Sequence, residues 1–324
     1  MVFTWLASST VWAQGGEFDP GGYNSMRVEN EIKLVVPIPQ QDSVWAYLKQ
    51  RYTAPSAFLA GLDSSLHAVW AEDLFFDQYF DNPEFKLVTM QSGVRHRRRE
   101  VLTDPTSRKD GRELMQIKVN DIDHNELNRG EYKYPVKHYK PGGKVVEYDD
   151  HPFLGLVKRK HRANVIAQLQ QIGIKAQDLL PTIMIRQYRK RLYVLRDTLP
   201  FATITLDIDS AFFEGKSHAF TEMEMELNEI SYTLGDSAER QRMEGINDRF
   251  REDLLARFPS IHQDQTPKYT KSAIAFGIDP KTGKLPGKPF PWNTVLWFAG
   301  ITLPLLAFLI VMRGRIRSRR KSTD

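Results

Sequence analysis

Residues 28–36 read VENEIKLVV, and in an extended chain successive side chains leave on opposite faces. Glu29, Glu31 and Lys33 therefore share one face, and Val28, Ile32 and Leu34 the other. The pattern returns along the chain with changing sign. Arg95, Arg97 and Arg99 share a parity in GVRHRRR, as do Arg129, Glu131 and Lys133 in RGEYKY. So do Arg189, Arg191 and Tyr193 in YRKRLY, Asp207 and Asp209 in TITLDID, and Glu222, Glu224 and Glu226 in TEMEMEL. One strand of this kind turns its ionic face to water. Many such strands have a second solution, a sheet closed on itself that turns every ionic face toward one lumen. Carboxylates there suit a divalent cation, and Arg and Lys suit an oxyanion, so the lumen is a site for polyphosphate. A plain antiparallel β domain with its charges outward is the competing arrangement.

The 324 residues exceed the usual single-domain length but suit one large β unit with accessory helices. Cysteine is absent, which removes disulfides and thiolate zinc sites and leaves the redox compartment open. The net charge of +5 invites a nucleic-acid reading. However, Arg313, Arg315, Arg317, Arg319, Arg320 and Lys321, less Asp324, account for all of it, so no nucleic-acid partner is expected for the neutral remainder. The histidines form no HExxH pair, so His96 and His124 are read as sheet or surface residues. A GxxxxGK[ST] loop is also missing, which excludes P-loop chemistry.

In chain order, an apolar run at residues 2–13 ends in Val11-Trp12-Ala13, the small-residue pattern of a secretory cleavage point, though no early Lys or Arg precedes it. It is read as a signal peptide or, failing that, a docked terminus; residues 14–25 are a flexible lead-in. A helix follows Pro37 and Pro39, capped by Asp42-Ser43 and carrying Val44, Trp45, Leu48 and Tyr52. The pattern at 52–73 mixes Pro, Gly and Ser and predicts loops with short helices. Strands are expected at 74–80, 93–101, 114–119, 129–136, 182–194, 201–209 and 220–230. Helices are expected at 153–172, with the basic run at 158–162 on a solvated face, and at 238–258, with Asp236 or Ser237 as cap.

Residues 263–291 are rich in Pro, Gly, Lys and Thr and read as a spacer. Residues 294–312 carry no charge and are long enough to cross a hydrocarbon layer of roughly 30 Å at about 1.5 Å per residue. Trp292 and Trp297 suit the interface, and the arginine block that follows favours a cytosolic C-terminus, with the large domain on the other side. Lys281, Lys284 and Lys288 weaken that asymmetry without reversing it. The expected organisation is a signal and lead-in (1–25), a folded domain (26–262), a linker (263–291), a membrane helix (292–312) and a basic tail (313–324).

The ordered set of charged motifs resembles the CYTH and VTC group, the triphosphate tunnel metalloenzymes. The resemblance rests on ExExK at Glu29, Glu31 and Lys33, YFDNP at 79–83 followed by GVRHRRR, QIK at 116–118, RGE at 129–131, YRKR at 188–191, TLD at 205–207 and EMEME at 222–226. It covers about residues 26–260.

The resemblance implies an α+β fold, an antiparallel eight-stranded barrel forming a tunnel with accessory helices, to which this chain adds its C-terminal membrane helix. It implies dependence on Mg²⁺ or Mn²⁺ and hydrolysis of triphosphate or polyphosphate. Glu29, Glu31, Glu222 and Glu224 would bind metal, with Glu131 and Asp207 as further candidates. Lys33, Arg95, Arg97, Lys118, Arg129, Arg189 and Arg191 would grip phosphate oxygens, and Lys33, Glu29 or Glu31 would orient the nucleophile. Lys133 departs from the CYTH pattern, which commonly has an acid there, and YRKR and TITLD sit closer to the polyphosphate-polymerase branch. A polyphosphate polymerase, an adenylate cyclase and a non-enzymatic polyphosphate sensor stay open, although a domain outside the cytosol lacks ready ATP for polymerisation.

Overall fold

The computed structural model describes residues 26–53, 55–103, 113–120, 127–136 and 151–285. The signal, lead-in, membrane helix and basic tail read from the sequence lie outside these residues, as do the 104–112 connection and His124. Among the described residues no helix is long and apolar enough to cross a membrane.

The chain runs β1 (Arg27–Val35), α1 (Gln41–Tyr52), α2 (Ala57–Leu62), β2 (Leu66–Asp81), α3 (Lys86–Thr89), β3 (Gly93–Thr103), β4 (Glu113–Asn120) and β5 (Asn128–Pro135). It continues through α4 (Arg159–Gln171), β6 (Leu180–Arg196), β7 (Leu199–Phe213), β8 (Lys216–Leu227), α5 (Glu229–Leu234), α6 (Ser237–Arg257), β9 (His262–Gln263) and α7 (Lys268–Ala275). This is an α+β fold built on one antiparallel sheet. The ladder runs β5-β4-β3-β2-β6-β7-β8-β1, and β1 pairs in turn with β5 through Arg27↔Glu131 and Glu29↔Arg129. Eight strands thus make a closed circuit, and the charged parity of each faces the interior. Glu29, Glu31 and Lys33 are 2–3% exposed, and Asp207 is fully buried.

The opposite parity is apolar and covered from outside. Ile32, Leu34, Ile204, Leu206, Met223 and Met225 pack against α1, α2, α5 and α6, whose own stripes include Val44, Leu48, Tyr232, Phe250 and Leu254. A second core joins Met115, Ile117 and Tyr134 to Val165 and Leu169 of α4 and Leu87 and Val88 of α3. Burying each large apolar side chain stabilises the fold by about 1.5–3 kcal/mol, which offsets the cost of a charged interior.

Several boundaries differ from expectation for local reasons. Residues 52–73, read as loops and short helices, contain α2 and the first half of β2, which runs Leu66–Asp81 and pairs with β6 along nearly its whole length. The helix expected at 153–172 begins only at Arg159. Before it, His151 Nδ1 accepts the amides of Phe153 and Leu154 to form a turn, and Val157 bridges Val136. The last acidic strand ends at Leu227, where Asn228 caps α5 by accepting the Ser231 amide. Asp236 caps α6 as expected, whereas α1 has no side-chain cap and Asp42 instead meets Lys190 at 3.2 Å.

The spacer expected at 263–291 is described as far as 285, and that part is folded. β9 pairs with β1 through Leu34↔Gln263 and Val35↔His262, and α7 buries Lys268, Tyr269, Thr270, Ser272 and Ala273. Tyr269 stacks on Tyr79 with ring centroids 4.6 Å apart and planes 4° from parallel. Its hydroxyl donates to Asp81 at 3.0 Å, and Asp81 also accepts the amides of Asn82, Leu87 and Val88. The YFDNP motif thus anchors α7 and α3 to the end of β2.

Candidate active site

The interior faces enclose a cavity of about 360 Å³, within the range of small-molecule sites. Its basic wall comes from β3 and β6. Asp77, only 1% exposed, accepts Arg97 Nε at 2.7 Å and Arg95 Nη1 at 3.1 Å. Asp73 likewise holds Arg99 at 2.7 Å and Arg191 at 3.4 Å. Between these acids lies Phe75, with Arg97, Arg189 and Arg191 at 4.4, 5.4 and 5.8 Å from its ring centroid. Buried carboxylates and a ring thereby fix guanidinium groups that still line the cavity, the preorganisation a bidentate phosphate contact needs. Burial opposes ionisation of Asp77, but Arg97 and Arg95 hold its carboxyl below the usual range.

At the α7 end, lysines meet acids. Lys33 lies 2.7 Å from Glu224 and 3.0 Å from Glu31. Arg189 takes Asp207 through two bonds and Glu224 at 2.6 Å. Lys268 reaches Asp207 at 2.5 Å, Glu224 at 2.8 Å and Glu222 at 3.1 Å, and Lys271 closes on Glu222 at 2.5 Å. Burial opposes charge on Glu224, yet Lys268, Lys33 and Arg189 keep it well below the usual range.

At the α5 end three acids gather, one of them without an ion pair among the described residues. Glu29, Glu226 and Glu229 bring carboxylate oxygens within 4.8 Å of one another. Lys118 meets Glu29 at 2.5 Å, and Arg27 and Lys133 both meet Glu229 at 2.5 Å, whereas Glu226 has no ion pair among the described residues. Burial and the neighbouring Glu29 push Glu226 up to about 8, and burial with Glu131 raises Glu29 as well. Two adjacent acids that resist ionisation, with a third in reach, form an all-oxygen donor set suited to Mg²⁺ or Mn²⁺.

Of the residues singled out from sequence, Glu29, Glu31, Lys33, Arg95, Arg97, Lys118, Arg129, Glu131, Arg189, Arg191 and Glu224 line the cavity. Asp207 and Glu222 instead stand against Lys268. Glu31 is shared by Lys33 and Arg129, and Glu131 is held by Lys133 at 2.5 Å and Gln116 at 3.0 Å. Of the expected metal ligands, only Glu29 joins the cluster at the α5 end. Sequence reasoning missed Asp73 and Asp77, whose shared parity in β2 was readable, and did not assign Glu226 a metal role. It had no signal for Glu229, which depends on the turn into α5, or for Lys268.

A family model described as the CYTH domain matches residues 48–258. This chain belongs to the CYTH domain family. The match begins beyond the ExExK strand of this CYTH protein and ends before α7. Similar solved structures include HpAC1 from Hippeastrum, described as a proposed adenylyl cyclase with a dominant triphosphatase activity. It is 13% identical at a TM-score of 0.44, covering 79% of this chain and 99% of its own. Another is the PH1819 protein from Pyrococcus horikoshii OT3, at 12% identity and a TM-score of 0.42, covering 76% and 98%. The Pct1 RNA triphosphatase of S. pombe is more distant, at 10% identity and a TM-score of 0.29, covering 72% and 79%. No curated protein matches the chain.

Proposed function

We propose that this CYTH domain is a divalent-metal-dependent hydrolase of triphosphate or polyphosphate, with the eight-stranded circuit serving as its tunnel. The observation that carries the reading is one cavity with fixed guanidinium groups on one wall and, at one end, a carboxylate trio with oxygens within 4.8 Å of one another. Glu29, Glu226 and Glu229 would hold the metal, which supplies positive charge to phosphate oxygens.

The remaining chemistry belongs to the chain. Arg95, Arg97 and Arg191 bind terminal phosphoryl oxygens, and the carboxylates behind them keep those forks aimed. Lys33 and Lys118 add point charges beside Glu31 and Glu29, lowering the cost of charge that builds up in transfer. Burial of most of these groups strengthens each interaction relative to water. The nucleophile is water held near Glu29 or Glu31. In the same proposal, residues 294–312 anchor the protein in a membrane with this domain outside the cytosol, supported by the uncharged run and the arginine tail.

The test is phosphate release by the full chain from tripolyphosphate, ATP and long-chain polyphosphate with Mg²⁺ or Mn²⁺, using Arg97→Ala as control. Absence of release from every substrate would overturn the reading. Chain growth from ATP would reassign the site to a polymerase.

A further inference from the structure

The two ends of the cavity treat their acids differently. At the α5 end Glu226, beside Glu29 and Glu229, has no ion pair among the described residues. At the α7 end Asp207, Glu222 and Glu224 converge on a single atom, Lys268 Nζ, at 2.5, 3.1 and 2.8 Å. An ammonium has three N–H donors, and here three carboxylates meet them. Asp209 stands one inward position along β7 from Asp207, fully buried, with neither oxygen hydrogen-bonded among the described residues. Burial, against the pull of Lys268, pushes Asp209 well above the usual carboxyl range. Three carboxylates thus meet on one ammonium, with a fourth acid, buried and unpartnered, next along β7.

We propose that Lys268 is a resident cation, whose ammonium occupies the position a divalent ion would otherwise take among Asp207, Glu222 and Glu224, with Asp209 beside them. The cavity then takes metal at the α5 end alone. The lysine is held in place by its backbone. Its neighbour Tyr269 is wedged on Tyr79 and bonded to Asp81, Lys271 is tied to Glu222, and Gln265 bonds the backbone of β1 in both directions. Lys268 therefore reaches the acids from a docked helix, and the local charge balance is built into the fold.

The consequence is a count. Titrating Mn²⁺ into the full chain and reading free Mn²⁺ by electron paramagnetic resonance should give one bound ion per chain for wild type and for Lys268→Arg. Lys268→Gln should bind one ion more. The prediction rests on the proposed metal site at Glu29, Glu226 and Glu229 only for the starting count, and Glu226→Gln separates the two. In the Glu226→Gln background the first ion is lost, while Lys268→Gln still adds one. A folded Lys268→Gln protein, judged by circular dichroism, that gains no ion overturns the proposal. Should that variant not fold, anomalous scattering from wild-type crystals soaked in Mn²⁺ decides. A peak between Asp207 and Glu224 overturns it, and lysine density with no peak there supports it.

Discussion

Tyr269 offers the sharpest test of whether residues beyond 258 belong to the folded domain. The side chain is 1% exposed, stacked on Tyr79 at 4.6 Å, and its hydroxyl lies 3.0 Å from Asp81 and 3.1 Å from Thr182. Tyr269→Phe keeps the stack and removes the hydroxyl, leaving buried oxygens of Asp81 and Thr182 each one partner short, at a cost of about 1–3 kcal/mol. Tyr269→Ala removes the ring as well, for which about 3–5 kcal/mol is typical. At roughly 3 °C per kcal/mol for a domain of this size, melting should fall by about 3–9 °C for Phe and about 9–15 °C for Ala. The assay is thermal unfolding of the full chain followed by circular dichroism, paired with limited proteolysis across 262–285. If α7 undocks as a unit before global unfolding, the Ala variant loses protease protection first. A Tyr269→Ala protein that melts with wild type and is cut no faster would refute the docking and restore the spacer reading.

Arg97→Ala should raise KM for tripolyphosphate by about 10–100-fold, since one charged hydrogen-bonding group is worth about 1.5–3 kcal/mol, and initial-rate kinetics check this. Mn²⁺ affinity should rise with pH up to about 8, because the proton held by Glu226 must leave before the carboxylate can ligate; isothermal titration at a series of pH values tests the sign, and Glu226→Gln should flatten it. Asp253 accepts the hydroxyls of Tyr47 and Tyr52 and pairs with Arg51 at 2.8 Å, and although burial opposes it, these partners hold its carboxyl below the usual range. A depressed carboxyl stabilises the fold above its unfolded value and loses that contribution as pH falls through its folded value. Asp253→Asn should therefore lower stability near neutrality by about 1–3 kcal/mol and weaken the loss below about pH 4, as urea titrations at several pH values would read out.

Much of the site was legible because strand parity is a local property. Once Glu29, Glu31 and Lys33 are placed on one face, the same rule applied to 95–99, 129–133, 189–193 and 222–226 gathers most of the cavity wall without knowledge of pairing. Pairing itself was not legible. That Arg97 faces Asp77 across the β2–β3 ladder, or that Glu29 faces Arg129 where β1 meets β5, depends on register set by the whole sheet. The first half of β2 was missed because its Leu66–Asp73 stretch mixes His, Ala, Trp and Glu without clean alternation, and its burial comes from β6 and α2. α7 was missed because composition marked a spacer, while it is held by the Tyr269–Tyr79 stack, the Tyr269–Asp81 hydrogen bond and the ion pairs of Lys268 and Lys271.

Why the proposed metal ligands differ from the acids expected from sequence follows from the same distinction. Every acid on an interior strand looks equivalent in sequence, yet they differ in how many cations each already meets and in how closely their oxygens gather. Glu31, Glu131, Asp207, Glu222 and Glu224 each sit within 3.1 Å of a lysine or arginine nitrogen from another element or, for Glu31 and Glu131, from their own strand. Where β8 ends and turns into α5, Glu226 has no ion pair among the described residues, and burial beside Glu29 raises it to about 8. Lys133 sharpens this contrast. It stands where the family resemblance implies an acid, and it lies 2.5 Å from both Glu131 and Glu229. On the proposed reading the metal is confined to Glu29, Glu226 and Glu229, the group among the described residues whose carboxylate oxygens gather within 4.8 Å of one another.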